Sequence, residues 1–154
     1  MNRILNTAIS TTDGQYLVDQ DLKAFQKFIE SYTLRRDTYL LLQEQADALV
    51  LTSLRRMMAV HRATIQEHGD KCKRDMGYVL RYAALCLLKD DEDGFVEQLV
   101  LWMQTVMAAL HKEQQSAEAY RMLQTVLLET LPAANAALIN HYLDVFIDAL
   151  MVSA

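Results

Sequence analysis

Proline and glycine are almost missing from this chain, with one Pro and four Gly in 154 residues. That scarcity removes most of the turn chemistry that short strands need. No stretch alternates apolar and polar residues as a half-buried strand does. Two cysteines are too few for a disulfide framework. Charge of one sign is lacking as well: 15 basic against 20 acidic residues gives −5, with the basic residues dispersed. Long-range attraction to nucleic acid or anionic lipid is therefore not expected. No apolar run approaches the roughly 18 residues of a membrane span. The opening MNRILNTAIS carries polar Asn and Thr in place of a signal-peptide apolar region. Without insertion, disulfides or a leader, a reducing cytoplasm is the expected location. There is no Gly-rich phosphate loop, nucleophile elbow or paired set of catalytic carboxylates, so a non-enzymatic role is expected.

What is present is helical. Apolar residues make up 52% of the chain, and Ala, Leu, Gln, Glu and Met are abundant. The spacing predicts a short helix over residues 3–10, ended by a Thr11–Gly14 turn in which Asp13-Gly14 is the signal. From Asp19, read as an N-cap, Leu22, Phe25, Phe28, Ile29 and Tyr32 recur at helical spacing. A break is expected near Arg35–Asp37. The pattern then continues through Leu40, Leu49, Leu54 and Met58 toward His68–Gly69. There Gly69 would end the helix and Asp70 would cap the next. A central helix follows over residues 71–88, then a charged turn at Lys89–Gly94 and a helix over 95–110. A polar connection at Lys112–Ser116 leads to a helix over 117–129 and, after Pro132, a last helix to about Met151. The expectation is an all-α protein of about seven helices in one domain, residues 1–154.

The stretch that says most is Lys71–Cys72–Lys73–Arg74–Asp75 through Leu88. Cys72 and Asp75 are three apart, so they leave the helix on roughly one side. Arg74 flanks them, and Lys71 sits one turn before Asp75. A nucleophilic sulfur, an acceptor and several cations suit a covalently tethered, extended ligand bearing both N–H donors and carboxylates. On one continuous helix Cys72 and Cys86 would lie about 21 Å apart, at ~1.5 Å rise per residue. The two therefore cannot pair within the chain.

This stretch resembles the chromophore helix of the phycobiliproteins, most closely the α-type subunits of phycocyanin and allophycocyanin. That helix carries Cys-x-Arg-Asp followed by Leu-Arg, here Cys72, Arg74, Asp75, Leu80 and Arg81. Gly14–Gln15–Tyr16–Leu17 is similar to the family's turn after its first helix. Tyr142–Leu143–Asp144 with Ile147, Ala149 and Leu150 is similar to its final helix. The resemblance thus spans nearly the whole chain. It implies a globin-like phycobiliprotein fold with a protruding N-terminal helical hairpin, through which two subunits associate in a light-harvesting antenna. It implies a linear tetrapyrrole, a phycocyanobilin-type bilin, held by a thioether at Cys72. Asp75 would accept hydrogen bonds from the inner pyrrole N–H groups, and Arg74, with Lys71 and Lys73, would pair with the propionates. The implied partners are a second phycobiliprotein-like subunit or another copy, a phycobilisome linker, and a bilin lyase. The implied location is the cytoplasm, at the cytoplasmic face of thylakoids.

The chain also departs from the family. About ten residues of the loop ahead of the cysteine are missing, between Met57 and Asp70. Gln98 and Trp102 stand where antenna subunits have Tyr and Gly, and Trp102 could fill space the pigment would need. Leu85 replaces a Tyr, and Thr11 replaces an acidic residue. That leaves Asp13, two residues on, as the candidate to pair with Arg81 across a subunit boundary. A second reading follows: a pigment-free interaction or regulatory protein on the same fold, acting in antenna assembly or turnover.

Plainer roles exist for each residue. Cys72 could be a small buried hydrophobe, Asp75 an i,i+4 partner of Lys71, and Arg74 a surface cation. Cys86 reads as core. His61, His68, His111 and His141 lack the neighbours of a haem or zinc site.

Overall fold

The computed structural model describes residues 2–12 and 14–152, with no side-chain description for Ile4. Seven α-helices follow in chain order: α1 Arg3–Thr11, α2 Asp19–Met57, α3 Arg62–Lys89, α4 Glu92–Phe95, α5 Leu101–Leu110, α6 Glu113–Thr130 and α7 Ala133–Val152. A π-helical segment, Val96–Val100, joins α4 to α5 without a break. No strand occurs among the described residues. The all-α class, and a globin-like arrangement led by two N-terminal helices, is what this chain adopts.

The core forms where α2, α3, α6 and α7 meet. Leu49 and Val50 of α2, Val79, Leu80 and Ala83 of α3, Leu123 and Leu127 of α6, and Ile139, Leu143 and Phe146 of α7 lose essentially all contact with water. Edge-to-face rings lock this interior: Phe95 meets Tyr142 at 5.4 Å and Tyr120 meets Phe146 at 4.7 Å between centroids. Inside the packing, the Asn135 Nδ2 donates to Thr38 Oγ1 at 2.9 Å, tying α7 to α2. Nearer the rim, the Gln104 amide donates to the Ala149 carbonyl and ties α5 to α7.

Helix boundaries correct several expectations. Val18, not Asp19, precedes α2, and its N–H donates to the Asp21 carboxylate at 3.3 Å. The expected break at Arg35–Asp37 does not occur. Arg35 is instead buried, donating to the Leu88 carbonyl at 2.6 Å and the Phe28 carbonyl at 2.7 Å, with its guanidinium 4.3 Å from the Phe28 ring centroid. Neutral acceptors and a π face take the place of a carboxylate. Residues 19–34 of α2 have no buried member, so this half of the helix projects. Leu5 and Ala8 bury one side of α1, while Asn2 and Arg3 contact Asp90 and Asp93 at the start of α4.

Gly69 does not end a helix and Asp70 does not cap one, because both lie inside α3. The chain reverses earlier, over Met58–His61. Within that turn the N–H groups of Ala59, Val60 and His61 donate to the Arg56 and Met57 carbonyls. The polar connection expected at Lys112–Ser116 shrinks to Lys112, since α6 starts at Glu113. The last turns of α3 and α5 pass into left-handed residues that are not glycine, Asp90 at φ 55° and His111 at φ 51°. Gly14, at φ 78°, adopts the conformation glycine favours and turns the chain between α1 and α2. Asp13 lies outside the described residues, and with it the proposed pairing to Arg81.

Candidate functional site

On α3, residues 72, 75, 79, 82 and 86 recur every three or four positions and share one face. The face changes character along its length. Cys86 and Val79 are fully buried, and the Tyr82 ring stacks against Phe95 at 6.5 Å. Toward the N-terminus the same stripe emerges: Cys72 is half-buried against the edge of the core, and Asp75 keeps about a third of its side chain in water. The sulfur is thus neither sealed in hydrocarbon nor fully exposed.

Electrostatics link these two residues to one another. Burial pushes the Cys72 thiol above its ordinary pKa, the Asp75 carboxylate pushes it further, and Lys71 opposes both. The resting sulfur is therefore held as a thiol, and thiolate character must come from a partner or from higher pH. Tyr120 of α6 is buried beside them, and its phenol is pushed well above the usual range by burial first, then by the charges of Asp75 and Cys72. Sequence spacing gave no sign of this third member, because Tyr120 reaches the pair only through the packing of the helices.

The cations behave differently. Lys71, Lys73 and Arg74 line a cleft of about 590 Å³ between α2 and α3, and neither Cys72 nor Asp75 lines it. Arg74 reaches the Asp75 carboxylate at 3.7 Å, the closest ion pair of that carboxylate among the described residues, so the pairing with Lys71 is not formed. The five residues singled out in the sequence therefore divide. A thiol and an acceptor share one face, while three cations lie around an adjoining cleft, with Arg74 joining the two groups.

The connection ahead of the cysteine is too short to lie over this face. Met58–His61 passes straight into α3, and the His61 imidazole meets Glu118 of α6 at 2.9 Å. Trp102 does not fill interior space: it stands on the outer side of α5, 55% exposed. Gln98 and Leu85 are exposed as well. Among the described residues no cluster of three or more His, Cys, Asp or Glu could hold a metal ion. None of their helices is long and apolar enough to cross a membrane.

A family model described as "Phycobilisome protein" matches residues 7–150. No curated protein matches the sequence.

Proposed function

The chain belongs to the phycobilisome protein family, and on that premise we propose that it carries a linear tetrapyrrole through a thioether at Cys72. The observation behind this reading is the pairing of a half-buried thiol and a part-exposed carboxylate on one helix face, beyond which the stripe dives into the core. When bound, the bilin supplies visible absorption. Cys72 would hold it by adding its S–H across a carbon–carbon double bond. That step forms one C–S and one C–H bond and needs no oxidant. Asp75 has acceptor capacity for the central N–H groups, where charge-assisted bonds are the stronger kind. Arg74 would meet one propionate, with Lys71 and Lys73 for the other. The raised thiol pKa favours attachment by a bilin lyase over spontaneous addition. Nothing in this scheme turns over, and the protein acts as a carrier.

Association with a second phycobiliprotein-like subunit, or with another copy, fits the uncovered apolar side chains of Leu22, Ile29, Tyr32 and Leu34 on the projecting part of α2. Co-expression with a bilin source and a lyase tests the carrier role. A covalent, visible-absorbing adduct absent from Cys72→Ala is expected; a colourless wild-type product would refute it.

One observation favours a second reading. The Met58–His61 turn leaves no loop to cover a pigment, which suits a pigment-free interaction protein acting in antenna assembly or turnover. That protein would be purified colourless, and its partner binding would survive Cys72→Ala.

A further inference from the structure

The cleft between α2 and α3 is separate from the thiol face and has a chemistry of its own. Its volume, about 590 Å³, lies within the range of roughly 300–1,000 Å³ typical of small-molecule sites. Its floor is aliphatic, formed by Leu51, Leu54, Met58 and Ile65, and the His68 imidazole is the one ring in its lining. A flexible hydrocarbon chain would bury its methylenes on that floor.

The rim is mainly cationic although the protein as a whole is acidic. Arg55 on α2 faces Lys71, Lys73 and Arg74 across the opening. Arg55, Lys71 and Lys73 have no ion-pair partner among the described residues. Two acids, Glu67 and Asp70, share the rim, so the cations remain in excess. By contrast Arg56, the neighbour of Arg55, is already paired with Glu129.

We propose that this cleft binds a single aliphatic amphiphile with an anionic head, its chain on the Leu51–Leu54–Met58–Ile65 floor and its carboxylate at Arg55 and Lys73. The site does not use Cys72 but shares Lys73 with the propionate contacts proposed above, so it is tested on the pigment-free protein, where its failure and the failure of pigment attachment are distinct.

Dodecanoate below its micelle concentration is the probe, titrated into the full-length protein and followed by calorimetry and amide chemical shifts. Saturable one-to-one binding is expected, with shifts confined to the α2–α3 junction. The double variant Arg55→Gln/Lys73→Gln changes two exposed side chains, and its fold is checked by circular dichroism. It should weaken binding about fivefold, as loss of two partly exposed charge contacts implies. Cys72→Ala should leave binding unchanged. Dodecyltrimethylammonium, with the same tail and the opposite head charge, should not bind in that range. The proposal is overturned by absence of saturation, by equal binding of the cationic amphiphile, or by loss of binding in Cys72→Ala. It is also overturned if the protein binds phosphatidylglycerol vesicles but not monomeric dodecanoate.

Discussion

Cys72 and Cys86 sit on the same face of the same helix, and the protein treats them as different substances. Around Cys86 the helix is enclosed by Leu80, Ala83, Leu87 and Phe95, all without measurable contact with water or nearly so. Around Cys72 the enclosure is partial, with the sulfur packed only against the edge of the core. Ile65 is the only buried residue of α3 before Met76. A helix carries a core stripe only as far as its neighbours follow it, and beyond that point the same side-chain type becomes a surface group. Residue identity does not decide whether a thiol is filling or function; the reach of the surrounding helices does.

The sharpest way to break this contrast is to put a charge at the enclosed end. Cys86→Asp should cost about 3–5 kcal/mol, since the site is fully buried and the nearby cation, Lys89, is already paired with Asp91, and urea denaturation would measure it. A near-neutral result would mean that the C-terminal half of α3 is looser than its packing implies. Next in size is chemical access. A maleimide applied to the native protein should modify Cys72 and spare Cys86 by a factor of about 100 or more, read by mass spectrometry of peptides.

The pH dependence of that labelling sharpens the same point. Burial and Asp75 both favour the protonated thiol of Cys72. Its reaction rate should keep climbing above the midpoint of about 8.5 seen for a free cysteine. A midpoint at or below that value would contradict the geometry of Cys72 and Asp75. Cys72→Ala should change unfolding free energy by no more than about 1 kcal/mol, because only half the side chain is packed.

The smallest effect lies at the boundary between the two halves. A Cβ on Gly77 would come 3.1 Å from the tip of the Arg81 side chain, a flexible group that can move aside. Gly77→Ala should therefore stabilise by about 0.5 kcal/mol through helix propensity, visible as a small rise in Tm.

Much of this architecture was legible from residue spacing. The existence of the long helices followed from helical spacing, and the central one was marked by the stretch from Lys71 through Leu88. Positions where the chain bends were harder to read. Gly69 looked like a terminator, yet a 28-residue helix held by tertiary packing tolerates both it and Gly77 in its interior. The real reversal at Met58–His61 contains neither Gly nor Pro. Arg35 was read as part of a break over Arg35–Asp37. Its burial depends on a carbonyl acceptor 53 residues away, which no local window contains. The candidate site was half legible for the same reason. The pairing of Cys72 with Asp75 is a property of helix spacing, and it is present. The distribution of Lys71, Lys73 and Arg74 around a cleft, and the arrival of Tyr120, are properties of how α2 and α6 approach α3.

Arg35 stands where the projecting part of α2 joins the body, and its guanidinium grips both its own helix and the far end of α3. The projection and the thiol-bearing helix are therefore coupled as a lever is to its fulcrum. A pull on the tip, some 24 Å out at ~1.5 Å rise per residue, is delivered to the Leu88 carbonyl. The arm and the C-terminal end of α3 thus share one anchor.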